Sequence, residues 1–407
     1  MAQRLTRRTF LVSAALAALP VPAFAQAKPV RMGLLTVKTG PLATGGIQME
    51  QGTIRFLKDR NYTLAGRKVE LVVGDTGGNP AGTKTKTQEL VERDNVDMIL
   101  GPLAAFELLA ISDYAAQAKM PILSLAAAED MTQRKPNPYF VRASGTSAQY
   151  LHPLADYAAK ELKFKRVITI ADDFAFGHEQ MGGFQRVFED AGGRVVKKLW
   201  PPLVTPDYTP YLAQISGVDA VVQGFAGSNP LKFMKQYKDQ GLKLPVLAGA
   251  PAGDDALLKS FGDEAIGMIS VNFYTNDLDT PSNKRLIDGM VRDYGNVPGT
   301  YSAGLYIAGM VAEAALEKTG GKTDDREAFN RALRAVSLTD TPRGPFHFDH
   351  FGNVVGAFYL RRCERKGDKL VNTTIKTYPS VSQFWTYDEK WFLSKPVYSR
   401  DYPPLKS

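Results

Sequence analysis

The stretch DMILGPLAAFELLAISDYAAQAKMPILSL, residues 97–125, contains one complete strand–helix–strand unit. Its two ends, Asp97–Gly101 and Met120–Leu125, are short apolar runs typical of buried strands, and Glu107–Ala118 between them has the length of a helix. Strands separated by such a helix lie parallel in one sheet, because a parallel connection has to return along the sheet before the next strand begins. The stretch therefore predicts an α/β protein with a parallel sheet.

The same alternation continues on both sides of this unit. Towards the N-terminus we predict strands at Val30–Leu35 and Val69–Gly74, and helices at Gly46–Arg60 and Ala81–Arg93. After Tyr139–Arg142 the alternation restarts. The second set comprises helices Gln149–Lys163, Glu179–Ala191 and Pro230–Gln240, and strands Val167–Ala171, Val195–Trp200, Ala220–Phe225, Val246–Ala248 and Ile266–Phe273. Two successive sets predict two similar, doubly wound lobes.

The C-terminal part of the chain departs from this pattern. Three helices are predicted, around Ser282–Tyr294, Tyr301–Lys318 and Asp325–Ala335, and two strands follow, at Gly344–Asp349 and Phe358–Arg362. The remaining residues, 383–407, are rich in Trp, Tyr and Pro. Because aromatic residues are depleted in disordered segments, we expect this tail to be ordered and packed on the surface.

The first 25 residues have the pattern of an export signal. Arg7 and Arg8 form a twin-arginine pair, the apolar run Leu11–Leu19 follows, and Ala23–Ala25 is a small-residue cleavage site. The apolar run is about half the ~20 residues that a membrane-spanning helix needs. We therefore predict a cleaved twin-arginine signal peptide over residues 1–25 and a periplasmic mature chain.

Composition narrows the possible functions. The formal net charge is +8, with 50 Lys and Arg against 42 Asp and Glu. The basic residues are scattered along the chain, which is not a nucleic-acid signature, so we expect no nucleic-acid partner. Cys363 is the only cysteine, which leaves no intramolecular disulfide. The four histidines form no catalytic or metal-binding motif, and we expect no enzyme activity, no metal and no cofactor.

Several motifs together resemble one family. They are, in order, Gly40–Gly46, Gly101–Ala105, Pro121–Ala128, Phe140–Arg142, Phe176-Gly177 and Gly344–Gly352. In this order, behind an export signal, they resemble the type I periplasmic binding proteins, specifically the leucine/isoleucine/valine-binding family of ABC-transporter solute receptors. The resemblance implies two α/β lobes that close over a small ligand and then dock on the transmembrane subunits of an ABC permease.

The resemblance also implies how the lobes are divided. Three hinge crossings are expected, near Ala143–Ser147, Asn272–Asn276 and Thr341–Gly344. Lobe 1 then comprises residues 26–143 and 276–342. Lobe 2 comprises residues 144–275 and 343–407, including the C-terminal tail. The ligand cleft lies between the lobes, where the loops that follow the strands of each sheet meet.

The loops at this cleft supply the candidate ligand-binding residues. A helix that starts near Ala105 directs free backbone N–H groups into the cleft, which suits a carboxylate. Phenylalanines in neighbouring loops suit a flat ring. Arg142 is either an ion partner of the ligand or a hinge residue bonded to the backbone. The predicted ligand-binding residues are Ala104, Ala105, Phe106, Ala126, Ala127, Ala128, Arg142, Phe174, Phe176, Phe225 and Gly227.

The sequence departs from the amino-acid receptors of the family in two respects. Alanines stand at 104, 105 and 128, where those receptors place hydroxyls, and Ala250–Gly253 contains no acid to pair with an ammonium group. Because a buried ammonium without an acceptor costs several kcal/mol, an α-amino acid is a poor ligand for this cleft. Asp172–Gly177 and the tail resemble a subgroup associated with lignin-derived aromatic acids, so we predict a benzoate-like or phenylpropanoid-like carboxylate. A branched-chain amino acid or amide receptor, or a ligand-sensing subunit of a signalling system, stays as the alternative.

Overall fold

A computed structural model of the protein describes residues 28–205 and 207–406. The predicted signal peptide lies outside the described residues. Fifteen strands and eleven α-helices occur in the described chain. The strands are β1 Val30–Thr36, β2 Thr63–Leu64, β3 Arg67–Asp75, β4 Met98–Leu100, β5 Ile122–Leu123, β6 Phe140–Val141, β7 Arg166–Ala171, β8 Arg194–Leu199, β9 Ala220–Gly224, β10 Val246–Ala248, β11 Ile269–Asn272, β12 Ser337–Leu338, β13 Phe346–Phe348, β14 Val354–Lys366 and β15 Lys369–Val381. The helices are α1 Ala43–Asp59, α2 Pro80–Gln88, α3 Ala105–Gln117, α4 Ser147–Lys160, α5 Ala175–Asp190, α6 Thr209–Leu212, α7 Asn229–Asp239, α8 Pro281–Tyr294, α9 Thr300–Lys318, α10 Arg326–Arg334 and α11 Glu389–Leu393.

The first sheet has the order β2-β3-β1-β4-β5-β6. Apart from the β2–β3 hairpin, its strands are parallel: β1 pairs with β3 on one side, from Val30 opposite Val69, and with β4 on the other. The strand order therefore reverses at β1. Helices α1 and α9 pack against each other over this sheet, and their buried faces contribute Phe56 and Tyr306, in edge-to-face contact at 5.6 Å between ring centroids.

The second sheet repeats this design. Its parallel part has the order β8-β7-β9-β10-β11, which reverses at β7. The long hairpin β14–β15 continues the sheet in antiparallel fashion, because β14 pairs with β11 on one side. Ligands bind doubly wound sheets at the carboxyl ends of the strands beside such a reversal. The predicted α/β architecture with two doubly wound sheets is confirmed.

Some element boundaries differ from those predicted. The strand predicted at Met120–Leu125 is only β5, which begins after Pro121, a residue without a backbone N–H to donate. Strand β15 was not predicted, because most of its residues are half-exposed and its apolar and polar positions do not alternate. The lobe division predicted from the sequence differs too. It placed Ser337–Leu338 in lobe 1, whereas these residues, as β12, pair with β13 of the second sheet.

A buried arginine ties together the segments that connect the two sheets. The Arg343 guanidinium donates to the carbonyls of Ala143 and Ser144, which follow β6, and to that of Ala357 in β14. The same group lies 5.0 Å from the centroid of the Phe273 ring, just after β11. Each crossing expected from the sequence therefore contains or adjoins a residue of this cluster.

The C-terminal tail packs as an ordered layer. Phe384, Phe392 and Tyr398 form a small apolar cluster with Ala148 of α4. Tyr398 lies so close to α5 that a methyl group at Gly182 would come within 2.6 Å of its ring. The prediction of an ordered aromatic tail is thus confirmed up to residue 406.

Every helix in the described chain is too short or too polar to cross a membrane.

Candidate functional site

A cavity lies between the two sheets, at the carboxyl ends of their parallel strands. The space between its walls is about 480 Å³ when the open solvent at its opening is included. Its walls come from the loops and helix starts that follow β1, β4, β5, β7, β9 and β10, and from the first turns of α4 and α9. The lining residues are Leu42, Leu103, Ala104, Ala105, Leu125, Ala127, Tyr150, Phe174, Phe176, Ala226, Ala250, Pro251, Thr300 and Tyr301.

Aromatic rings and small apolar side chains dominate this wall. Four of the lining residues are aromatic, and none of the fourteen carries a charge. The rings of Phe174 and Phe176 stack at 5.9 Å between centroids. Phe106, from α3, packs edge-on against Phe174 at 5.4 Å between ring centroids. Such a wall accommodates a flat, apolar ligand and offers no partner of opposite charge to an ammonium group.

Helix α3 begins at the cavity. Among the described residues, none accepts a hydrogen bond from the backbone N–H of Ala105 or Phe106 in its first turn. The N–H of Ala104 donates to the carboxylate of Glu107 at 2.9 Å, and burial raises the pKa of Glu107. Free N–H groups at a helix N-terminus, together with the helix dipole, stabilise an anion placed before them.

Arg142 supports the cavity wall from behind. This fully buried guanidinium donates to the carbonyls of Ala126 and Ala128, at 3.0 and 2.8 Å, and to the Asn353 side chain at 2.9 Å. Ala127, between the two carbonyls, is thereby turned towards the cavity. Of the two roles considered for Arg142, the geometry matches the hinge residue bonded to the backbone and not the ion partner of a ligand. Ala126 and Ala128 likewise contribute to the loop and not to the lining.

Two buried carboxylic acids lie next to this support. Glu129 accepts a hydrogen bond from the N–H of Ala148 at 2.9 Å, and Glu179 accepts one from the Ser147 hydroxyl at 2.7 Å. Burial raises the pKa of both groups, and the charge of Glu129 raises the pKa of Glu179 further. The Ser147 hydroxyl also reaches the carbonyl of Ala127, at 2.9 Å, so this network connects directly to the lining.

Two predicted site residues on the β9 side have other roles. Phe225 is fully buried and packs against Tyr208 and Phe233 at centroid distances of 5.2 and 4.9 Å, so it belongs to the core under α7. Its neighbour Ala226 lines the cavity instead. Gly227 lies against the loop that precedes α1 and is not among the lining residues. Ala104, Ala105, Ala127, Phe174 and Phe176 do line the cavity.

The sequence analysis missed several residues of the site. Tyr150, Thr300 and Tyr301 reach the cavity from first turns of helices, which a search of loops alone does not find. Asp254 lies one residue beyond the loop that was searched for an acid, and it is fully buried. Its carboxylate accepts a hydrogen bond from the N–H of Thr300 at 2.7 Å, and burial raises its pKa to about 6. Asp254 therefore caps α9, and it is not among the residues that line the cavity.

Within residues 28–205 and 207–406, no group of three or more His, Cys, Asp or Glu side chains is placed to hold a metal ion.

Comparison with known proteins agrees with this geometry. A family model described as periplasmic binding protein matches residues 29–368. A Leu/Ile/Val-binding protein homolog 6 of Brucella suis is 29% identical over 368 residues, covering 87% of this chain and 93% of the relative. A solute-binding protein of an ABC transporter from Rhodopseudomonas palustris BisB5, solved with 3,4-dihydroxybenzoic acid, is 30% identical, with a TM-score of 0.83 and coverages of 87% and 98%.

A second R. palustris solute-binding protein, solved with 4-hydroxybenzoate, is 29% identical, with a TM-score of 0.82 and coverages of 88% and 99%. Proteins of this kind bind small molecules and work with membrane permeases, at a periplasmic or exported location. The match over most of the chain and the paired doubly wound sheets lead to the same assignment. The chain belongs to the periplasmic binding protein family, and within it to the Leu/Ile/Val-binding group of ABC-transporter substrate-binding proteins.

Proposed function

We propose that this protein captures an aromatic carboxylate between its two lobes and presents it to an ABC permease for import. The observation that carries the proposal is the uncharged, ring-lined wall formed by Tyr150, Phe174, Phe176 and Tyr301. A planar ring packs well against such side chains, whereas the ammonium group of an amino acid would be desolvated there without a partner. The two similar solute-binding proteins solved with hydroxybenzoates support the same ligand class.

The carboxylate of the ligand is proposed to lie before the first turn of α3. The N–H groups of Ala105 and Phe106 are free to donate there, and the positive end of the helix dipole attracts the negative charge. Asp254, one residue beyond the Ala250–Gly253 loop, is not among the residues that line the cavity. Its Oδ1 atom receives the N–H of Thr300, and both of its carboxylate oxygens lie against Gly299.

Three further features belong to this proposal. Residues 1–25 act as a cleaved twin-arginine signal peptide. The lobes follow the boundaries given above, with β12 added to lobe 2. The ligand leaves chemically unchanged, since the protein binds and does not catalyse.

Isothermal titration calorimetry of residues 26–407, refolded to remove any carried ligand, tests the ligand class. The panel contains benzoate, 4-hydroxybenzoate, 3,4-dihydroxybenzoate, cinnamate, leucine, isoleucine and a short-chain amide. We expect binding of one or more of the aromatic acids and none of the amino acids. Binding of leucine or isoleucine alone would return the protein to the amino-acid receptors, and binding of the amide alone would make it an amide receptor.

Replacing Phe176 by alanine is expected to weaken the tightest aromatic ligand by about tenfold. The loss of one ring contact and its buried area corresponds to about 1.4 kcal/mol. Phe351→Ala is the matched control, because Phe351 is also a partly buried phenylalanine but packs against the tail residue Phe384. Calorimetry measures the affinity of both variants for this ligand. Equal affinities would mean that the ligand does not contact the Phe176 ring.

A further inference from the structure

The loop that precedes α1 touches the loop that follows β9 across the cavity mouth. The carbonyl oxygen of Pro41, on the first sheet's side, accepts a hydrogen bond from the N–H of Ser228, on the second sheet's side, at 3.2 Å. Gly227 lies directly beneath this carbonyl. A methyl group at Gly227 would be 2.0 Å from the Pro41 oxygen, and the backbone of Gly227 has a φ of +60°.

A second contact of the same kind joins the two sides at the start of α9. Asp254, in the segment after β10, accepts the N–H of Thr300, the first residue of α9. Gly299 lies against the Asp254 carboxylate: a methyl group there would be 2.3 Å from Oδ1 and 2.5 Å from Oδ2. The φ of Gly299 is −120°, a conformation open to any residue. The nearest atoms that a methyl group there would meet all belong to the Asp254 carboxylate.

We propose that these two contacts form a latch that holds the lobes closed, and that Gly227 and Gly299 are its positioning residues. This inference rests on the lobe closure of the proposed function. Because Gly227 has no side chain, the Pro41 carbonyl can approach closely enough to accept from the N–H of Ser228. Gly299 likewise lets the Asp254 carboxylate approach the N–H of Thr300. When the lobes are apart, the opposing atoms are absent, and a methyl group at either glycine meets no obstacle from across the cleft. The collision of a methyl group at either glycine therefore occurs in the closed state alone, and it shifts the population towards the open state.

The latch also gives a reason for the absence of Gly227 from the cavity wall. Its neighbour Ala226 lines the cavity, while Gly227 and Ser228 turn towards Pro41. Similarly, Thr300 lines the cavity while Gly299, one residue earlier, faces Asp254. Residues of the cavity wall and residues of the latch therefore alternate along the same two segments. The movement that brings the wall around a ligand also forms the latch contacts.

Cysteine cross-linking across the cleft measures closure without any ligand. Phe106 and Phe174 face each other from the two sides, 5.4 Å apart between ring centroids, and Phe106→Cys with Phe174→Cys provides a thiol pair there. The native Cys363 is fully buried and does not compete for the reagent. A short bismaleimide is added to the purified protein, and the rate of intramolecular cross-linking is followed by intact-protein mass spectrometry.

Adding Gly227→Ala to this pair is expected to slow cross-linking by about tenfold or more, because the closed population falls in proportion. Gly241→Ala is the matched control. Gly241 has a φ of +72° and is also on the second sheet's side, but a methyl group there meets no atom within 4 Å. The control carries the same left-handed backbone strain without the collision. Equal cross-linking rates for the two variants would overturn the latch.

Gly299→Ala gives an independent answer if Gly227→Ala does not fold, as judged by circular dichroism. It adds no left-handed strain, and slower cross-linking is again expected. An unchanged rate in Gly299→Ala would contradict the latch. Since no ligand enters this experiment, its outcome is separate from the calorimetric panel: failure of every aromatic acid to bind would refute the proposed ligand and leave the latch measurement intact.

Discussion

Arg361→Met is expected to lower the free energy of unfolding by about 3–5 kcal/mol, the usual cost of leaving one member of a buried ion pair without its partner. The Arg361 guanidinium is fully buried in β14 and contacts the Asp255 carboxylate at 2.5 Å. It also donates to the carbonyl of Gly253 at 2.9 Å. The variant leaves the buried Asp255 carboxylate without its charged partner, next to the segment that carries Asp254, whereas the Gly253 carbonyl keeps the Asn372 amide as a donor.

Arg365→Met is the matched control for this prediction. Arg365 lies four residues further along β14 and also pairs with an aspartate, Asp263, but the side chains of this pair are 44% and 63% exposed. Exposed pairs contribute at most about 1 kcal/mol, so the control should change stability little. Urea unfolding at pH 7 measures both variants. Similar losses in the two would mean that burial of the Arg361–Asp255 pair is not what makes it important.

The stability deficit of Arg361→Met should also depend on pH. Burial raises the pKa of Asp255 even beside Arg361. Without the arginine, the buried carboxylate is expected to take up a proton more readily as the pH falls, and protonation removes the uncompensated charge. Urea unfolding of the variant and the native protein at pH 5 and pH 7 should therefore show a smaller difference at pH 5. A constant difference would point to lost packing as the main effect.

A second large effect is expected from His152 in acid. Its imidazole is fully buried in α4 beneath Trp385 and Phe392, and neither ring nitrogen has a hydrogen-bond partner in the described chain. Burial lowers the pKa of His152 from 6.5 to about 3. Below pH 6.5 the unfolded chain therefore binds a proton that the folded protein rejects, and the stability contributed by the neutral ring, fully present above pH 6.5, is lost as the pH falls.

The native protein should consequently lose about 2 kcal/mol more than His152→Leu between pH 7.5 and pH 5, since each unit below the unfolded pKa amounts to about 1.4 kcal/mol. Leucine is close to histidine in size and does not titrate, so the other ionisable groups contribute equally to both proteins. Urea unfolding at the two pH values gives the comparison. Parallel pH dependence in the two proteins would show that His152 is accessible to protons in the folded state.

The α/β class and the order of strands and helices followed from residues 97–125 and their repetition, because apolar periodicity reflects local burial. The prediction succeeded for β1 and β7, which are buried along nearly their whole length. It missed β15, whose half-exposed residues carry no such pattern. Of the residues predicted in the loops that follow buried strands, Phe174, Phe176, Ala104, Ala105 and Ala127 line the cavity.

Which side chains of those loops face the cavity was not predictable from their order. Phe225 and Ala226 are neighbours, yet one fills the core under α7 and the other lines the wall, because the direction of a side chain after the end of a strand depends on what packs against it. Arg142 is likewise a conspicuous charge in the sequence, but its partners Ala126, Ala128 and Asn353 come from segments far apart along the chain.

By itself, the sequence determined the paired doubly wound sheets, the family and the apolar, aromatic character of the site, since each depends on residue types and their spacing. The tertiary structure alone decided that Tyr150 and Tyr301 complete the wall and that Gly227 meets Pro41 across the cleft. The physical reason is distance along the chain. Local burial leaves a local pattern in the sequence, whereas contacts between residues nearly two hundred positions apart exist only after both sheets have formed and come together.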